Sequence, residues 1–390
     1  MFLSKEHHTC TFSSKHTPAL YVYPGERVTI ETWDCYGGLF FDHQQEQEQP
    51  VTNPTSIPID RSKLNPVTGP IYIHTAQPGD VLAVTIHDIQ PHSLGVAQCG
   101  PTFGQLAHTV TQHHFRFFDI TRPSMSSPTA ADNESHQNKK SLPSEFWNIT
   151  MREEVEEVVE STLSDHSNQP RQGRRTTPIS FMAKPMIGVL GVAPPPPIES
   201  ISTMPAGNHG GNLDNPFNTI GSTIYLPIYH TGALFSVGDV HASQGDGEIC
   251  GTGVEVGAKV VLSFQVLSQE SISRIPNQDH DDKTLVTPHP FLFPITETAT
   301  SFMTYGIILD DIPQSTVVAC DEASTLLQQQ WNFTAPDAYI FLGVCGHLGL
   351  CQCNHPDTNN TPIARMVIPK IEACPRPFAC LANARKNSTT

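Results

Sequence analysis

Apolar and polar positions alternate along this chain in short runs, punctuated by Pro, Gly, Asn and Asp. Residues 17–34, TPALYVYPGERVTIETWD, alternate after Pro24-Gly25 as a half-buried strand requires, since successive strand side chains point to opposite faces. Residues 64–90, LNPVTGPIYIHTAQPGDVLAVTIHDIQ, predict two strands joined by a Pro78-Gly79-Asp80 turn, with Leu82, Val84 and Ile86 on one face of the second. FMAKPMIGVLGVAPPPP (181–197) is apolar throughout and ends in prolines that cannot donate to a ladder, which predicts a buried strand stopping there. TIYLPIYHTGALF, KVVLSFQVL, SFMTYGIIL and AYIFLGVC read as further strands. A helix is predicted to begin near Asp321, where DEASTLLQQQWNF has acidic residues in its first turn. The expected fold is all-β, a sandwich or barrel with a few short helices, formed by residues 1–390 as one domain.

Two stretches depart from this rhythm. Residues 42–65 are Gln- and Pro-rich and read as a loop. Residues 121–178 are dominated by Ser, Asn, Gln, Pro and charge, and predict a mostly disordered insertion. Within it REEVEEVVEST (152–162) places Val155, Val158 and Val159 on one side of a short surface helix. A substrate lid is the sharper alternative for that segment. The tail after Pro377 reads as loose.

Charge and cysteine content narrow the partners. A formal net charge of −16 lacks the basic patch that a nucleic acid or anionic membrane would require. No apolar run reaches the ~20 residues that span a bilayer. The start, MFLSKEHHTC, has no apolar secretory core, so the expected setting is cytoplasmic and the ten cysteines are expected as reduced thiols. CQC at 351–353 has the wrong spacing for a zinc knuckle.

Candidate chemistry concentrates in two glycine-rich stretches. SVGDVHASQGDGEICGTGVEV (236–256) offers Asp239, His241, Asp246 and Glu248 among glycines that disfavour a helix. On an extended backbone Asp239 and His241 share a face, so a carboxylate and an imidazole can meet one ion or one small substrate. A polar Asp/Gly turn is the alternative. The second stretch, 205–232, holds Asn208, His209, Asn212 and Asp214, where a solvated Asn/Gly turn competes with a site. Asp34, at a strand end before Gly37-Gly38, is either a turn cap or a site carboxylate. His74, His87 and His92 read as surface or hydrogen-bonded histidines.

LNPVTGPIYIHTAQPGDVLAVTI, KPMIGVLGVAP, GNHGGNLDN and ALFSVGDVHASQGDGEICGTGVEV, in that order, resemble the acetamidase/formamidase family. The likeness covers nearly the whole chain outside 121–178. It implies a β-sandwich-rich fold, a small linear amide such as formamide or acetamide as substrate, a homo-oligomer, and a divalent metal, most often zinc. Carried over by position, HGGNLD supplies His209, Asn212 and Asp214, while GDVHASQGDGE supplies Asp239, His241, Gln244 and Glu248. Asp34 matches the acidic position after the first strand. The resemblance thus implies metal ligands among Asp34, His209, Asp214, Asp239 and His241, with Glu248 as proton shuttle and Gln244 or Asn212 holding the amide.

Amide hydrolysis asks for such groups in its own right. A metal polarises the carbonyl and lowers the pKa of water from ~15.7 to about 7. Imidazole and carboxylate suit zinc, and a nearby carboxylate moves the proton to the departing ammonia. Three rivals remain at this level: a covalent amidase using Cys250, a β-sandwich binding module for a small ligand, and a biosynthetic relative acting on a larger amide or catalysing a cyclisation.

Overall fold

The computed structural model describes residues 1–42, 49–123, 145–152, 178–268, 291–353 and 362–374. The predicted helix over 152–162 and the tail after Pro377 lie outside the described residues. Two large sheets carry the fold. One, of nine strands, runs Phe2–Leu3, Arg27–Thr32, Ala258–Leu267, Val81–Pro91, Thr223–Pro227, Ile295–Glu297, Ser301–Ile307, Ile363–Pro369, His347–Gln352. The other includes, in order, Ser180–Ala183, Trp147–Met151, His114–Thr121, Leu94–Cys99, Glu255–Val256, Phe235–His241, Met186–Gly191 and Gly210–Asn212. Among the described residues neither closes into a barrel.

Burial explains the layering. Ile30, Leu82, Val84, Ile86, Leu262 and Phe264 of the first sheet pack with Ile71, Ile187, Leu190, Phe235, Val237 and Val240 of the second. At roughly 1.5–3 kcal/mol per fully buried side chain, this shared layer is the main force holding sheet on sheet. The Pro78-Gly79-Asp80 turn joins two strands as expected, but they do not pair: Val67–Ile73 lies in one sheet and Val81–Pro91 in the other. The turn therefore hands the chain between layers. Val81 and Ala83, on the opposite face from Leu82 and Val84, pack under helices with Phe302, Ala319, Ala323 and Leu327.

Two expectations are corrected and a third is refined. The helix spans Ile312–Trp331, starting nine residues before Asp321, because Asp311 caps it by accepting from the Gln314 N–H and Pro313 occupies its first turn. Its buried face is Ser315, Ala319, Ala323 and Leu327, a stripe of mostly small residues four apart, which carries little hydrophobic signal. That stripe presses on the Ser301–Ile307 strand, where a Cβ on Gly306 would collide with the Ser315 and Ala319 backbone. AYIFLGVC is not a strand but part of a helix, Ala335–Cys345, capped by Thr334 through the Asp337 N–H with Pro336 in its first turn. Finally, the polar stretch 121–178 contains a sheet strand, Trp147–Met151, paired with His114–Thr121 and Ser180–Ala183. Trp147 and Ile149 are buried, so two alternating apolar residues outweigh the polar composition around them.

Candidate active site

A cavity of about 350 Å³ has a buried floor of Cys35, Tyr36, Asn65, Asn212, Asp214, Asp239, His241, Glu248 and Glu255. The two glycine-rich motifs converge there. Leu213 and Asp214 donate their N–H groups to the Gly188 carbonyl at 2.9 and 3.2 Å, tying one motif to the Met186–Gly191 strand. That strand pairs with Phe235–His241, which carries the other. A Cβ on Gly188 would sit 2.6 Å from Asp214 Oδ1 and 2.7 Å from Asp239 Oδ2, so only glycine leaves both carboxylates their space. Asn65 Nδ2 donates to Asn212 Oδ1 at 3.3 Å and Asp239 Oδ2 at 3.4 Å, completing the bridge between the motifs.

The backbone is strained where the acids sit. Asp214, Asp239 and Glu248 have φ of 43°, 52° and 44°, a left-handed conformation that costs a side-chain-bearing residue of order 1 kcal/mol or more. Asp239 is thus not on extended backbone, as its strand position suggested. Its ladder pairing skips from Val189↔Gly238 to Ile187↔Val240. It still meets His241, whose Nε2 is 3.4 Å from Asp239 Oδ1 and 3.1 Å from Glu255 Oε2.

Gln244 fixes the other side of that imidazole. Its Nε2 donates to the Asp214 carbonyl at 2.7 Å and the Cys351 carbonyl at 3.1 Å, so its Oε1, 2.7 Å from His241 Nδ1, must accept. His241 Nδ1 therefore keeps a proton in either charge state, and Nε2 faces the carboxylates.

Electrostatics make the floor demanding. Burial would depress His241, but Glu255 and Asp239 outweigh it and raise the imidazole well above 6.5. Burial, with Glu248 and Asp239 alongside, raises Asp214 well above the usual carboxylate range. Burial raises Glu255 to about 7, with His241 opposing and Asp239 adding to the rise. Cys35 is raised well above 9 by burial, then by Glu255 and Asp239. Asp214 Oδ1, Asp239 Oδ1 and Glu255 Oε2 have no hydrogen-bond partner, the last two facing His241 Nε2 at the distances above without bonding geometry. A bound cation would offset the burial and mutual repulsion that raise Asp214 and Glu255. Ligand atoms of Asp214, His241 and Glu248 lie within 4.8 Å of one another, as do those of Cys35, Asp239 and Glu255. These buried groups could bind a metal.

Of the residues expected at the site, Asn212, Asp214, Asp239, His241 and Glu248 line the cavity. Gln244 stands behind His241 with its amide fully used, which makes it a positioning residue rather than a holder of substrate. Asp34 is the turn cap of the two readings: it accepts from the Tyr36 N–H at 2.8 Å and the Gly38 N–H at 2.9 Å. His209 is buried edge-on to Phe12, outside both ligand trios and the cavity lining. Burial alone lowers it to about 4, so it is a neutral core histidine. Asp246 pairs with Arg365 at 2.6 Å. Cys250, the nucleophile of the rival covalent reading, lies off the cavity lining and donates to the Thr252 carbonyl at 3.3 Å.

Sequence reasoning missed Cys35, Asn65, Gly188 and Glu255. Glu255 was visible inside GTGVEV, but between two valines on a strand it reads as a solvent-facing residue. Only its pairing opposite His241 reveals that its face is the cavity.

Comparison with known proteins gives the family. A formamidase of Methylophilus methylotrophus is 26% identical over 261 residues, 59% of this chain and 57% of that protein. An acetamidase of Mycolicibacterium smegmatis is 31% identical over 157 residues, 36% and 35% of the two chains. The chain thus aligns with less than two thirds of the length of these curated relatives. The crystal structure of an acetamidase from Bacillus halodurans superposes with a TM-score of 0.66 at 26% identity, covering 95% of this chain and 97% of that one. The sequence pattern of the acetamidase/formamidase family matches residues 11–201 and 197–351, and the chain belongs to that family.

Proposed function

We propose that this protein hydrolyses a carboxamide to a carboxylate and ammonia at the cavity floor. The observation that carries the reading is the convergence of the buried Asp214, Asp239, Glu248 and Glu255 carboxyls on one imidazole, His241, with Asp214 Oδ1 left without a hydrogen-bond partner. A divalent cation, zinc by the fit of imidazole and carboxylate donors, would be held by Asp214, Asp239 and His241. When bound it supplies Lewis acidity, polarising a carbonyl and acidifying water. Asn212, oriented by Asn65, offers its amide to the substrate carboxamide. Glu248 takes the proton of the attacking water and passes it to the nitrogen as the C–N bond breaks, so one water is consumed for each carboxylate and ammonia formed. Glu255 sets the charge opposite His241.

A cytoplasmic homo-oligomer acting on a small-molecule amide completes the reading. Nine free thiols among the described residues support a reducing compartment, and no helix among those residues is long and apolar enough to cross a membrane. The test is ammonia release from formamide and acetamide by zinc-loaded protein, followed before and after chelation. Release that chelation abolishes supports the reading, and no release from any primary amide overturns it.

A further inference from the structure

Above the charged floor the cavity changes character. Half-buried Ile57, Ile59, Leu64, Phe103 and Met204, with buried Phe115, line it as an apolar wall. Exposed Thr55, Arg61, Thr102 and His113 form its rim. Ile57, Ile59 and Leu64 come from the 54–64 segment, and they pack on a cluster containing Cys35, Tyr36, Phe40 and Phe115. The wall is therefore backed by core, a preformed surface for substrate.

Size decides what such a wall is for. A water takes ~30 Å³ of liquid, and formamide and acetamide are only about two to three times that. The cavity, at about 350 Å³, falls in the ~300–1,000 Å³ range of pockets that enclose far larger ligands. Either short amide would reach the floor and leave the wall facing water. Apolar surface left hydrated contributes nothing to binding, whereas an apolar acyl group would displace that water.

Resting on the amidase reading, we infer that the cavity selects primary amides with a bulky apolar acyl group, aryl or branched alkyl. The carboxamide lies on Asn212 and Glu248, and the acyl group lies against Ile57, Ile59, Leu64 and Phe115. The reaction is the same hydrolysis, with one water added, the C–N bond broken, and an apolar carboxylate and ammonia released.

The experiment compares phenylacetamide with acetamide on the zinc-loaded full chain, and measures phenylacetamide binding by calorimetry. A single methylene in an apolar pocket is worth roughly 10–200-fold in discrimination, so kcat/KM for phenylacetamide is expected at least tenfold above that for acetamide. Ile59→Trp, which narrows the wall, is expected to lower that ratio at least tenfold. If the variant does not fold, the wild-type ratio and calorimetry decide alone. Hydrolysis of acetamide with a phenylacetamide ratio below ten overturns the inference and leaves the amidase reading standing. Binding of phenylacetamide without turnover of either amide supports the wall's role and counts against the amidase reading, which the absence of release from every primary amide would overturn. Neither binding nor turnover of phenylacetamide overturns the inference.

Discussion

At the floor of the cavity, Asp214, Asp239 and Glu248 hold left-handed backbone, and Asp214 Oδ1 stands without a hydrogen-bond partner. On its wall, Ile57, Ile59 and Leu64 sit half-buried, making ordinary apolar contacts. The floor is over-determined: Gly188 clears space for two carboxylates, Asn65 bridges Asn212 and Asp239, and Gln244 locks His241 from behind. Strain of this kind persists only where surrounding structure enforces it, and it collects at functional sites. The wall is simply packed. The difference teaches that reactivity is written into a few exact positions, while substrate choice is spread over replaceable apolar surface.

The sharpest way to break this contrast is to remove a floor ligand. Asp239→Ala or His241→Ala is expected to abolish metal binding and amide hydrolysis together, a loss larger than that of any proton shuttle. Metal content by mass spectrometry beside ammonia release checks it. A variant that keeps its metal shows that the residue is not a ligand.

Next in size is Glu248→Gln, which keeps shape but loses the base. The expected rate loss is ~10²–10⁴ in kcat, with metal retained and KM little changed. Loss of the ion would make Glu248 a ligand, in keeping with its place in the trio with Asp214 and His241.

Gln244→Leu tests the support behind the floor. Removing the acceptor at His241 Nδ1 should weaken zinc affinity about 10–100-fold, the usual cost of losing such a partner. A competition titration with a metal-sensitive dye reads this directly, and unchanged affinity refutes the tautomer lock.

The smallest effect on catalysis is expected at His209, although it sits in the same motif as Asp214. Its imidazole falls from 6.5 unfolded to about 4 folded, so stability is present above pH 6.5 and is lost as pH falls through about 4. That difference amounts to roughly 3 kcal/mol. His209→Leu should flatten denaturant-measured stability between pH 6.5 and 4 and leave metal content unchanged. A drop in metal content would return His209 to the ligand set.

These residues also show what the sequence could disclose. The two motifs were legible because Asp, His, Glu and Asn among glycines are costly without a purpose, and the sandwich was legible because alternation marks its strands. His209 and Asp34 lie outside both ligand trios, which the motif does not disclose because it gives residue type but not direction. Phe12 packs against one, and the Tyr36 and Gly38 N–H groups occupy the other. AYIFLGVC misled because its apolar run is compatible with strand or helix, and the deciding Thr334 cap lies just before it. The wall was invisible because Ile57, Ile59 and Leu64 come from a stretch that resembles loop and Phe103, Phe115 and Met204 from segments far from it in sequence.

The central claim is that the floor is a cation site that hydrolyses amides. It is tested most directly by chelating the purified full chain, reloading it stepwise with zinc, and following bound metal and ammonia release in the same samples. The account predicts that activity is absent without the ion and rises in proportion to ion bound. Full amide hydrolysis by protein shown to be metal-free would contradict it.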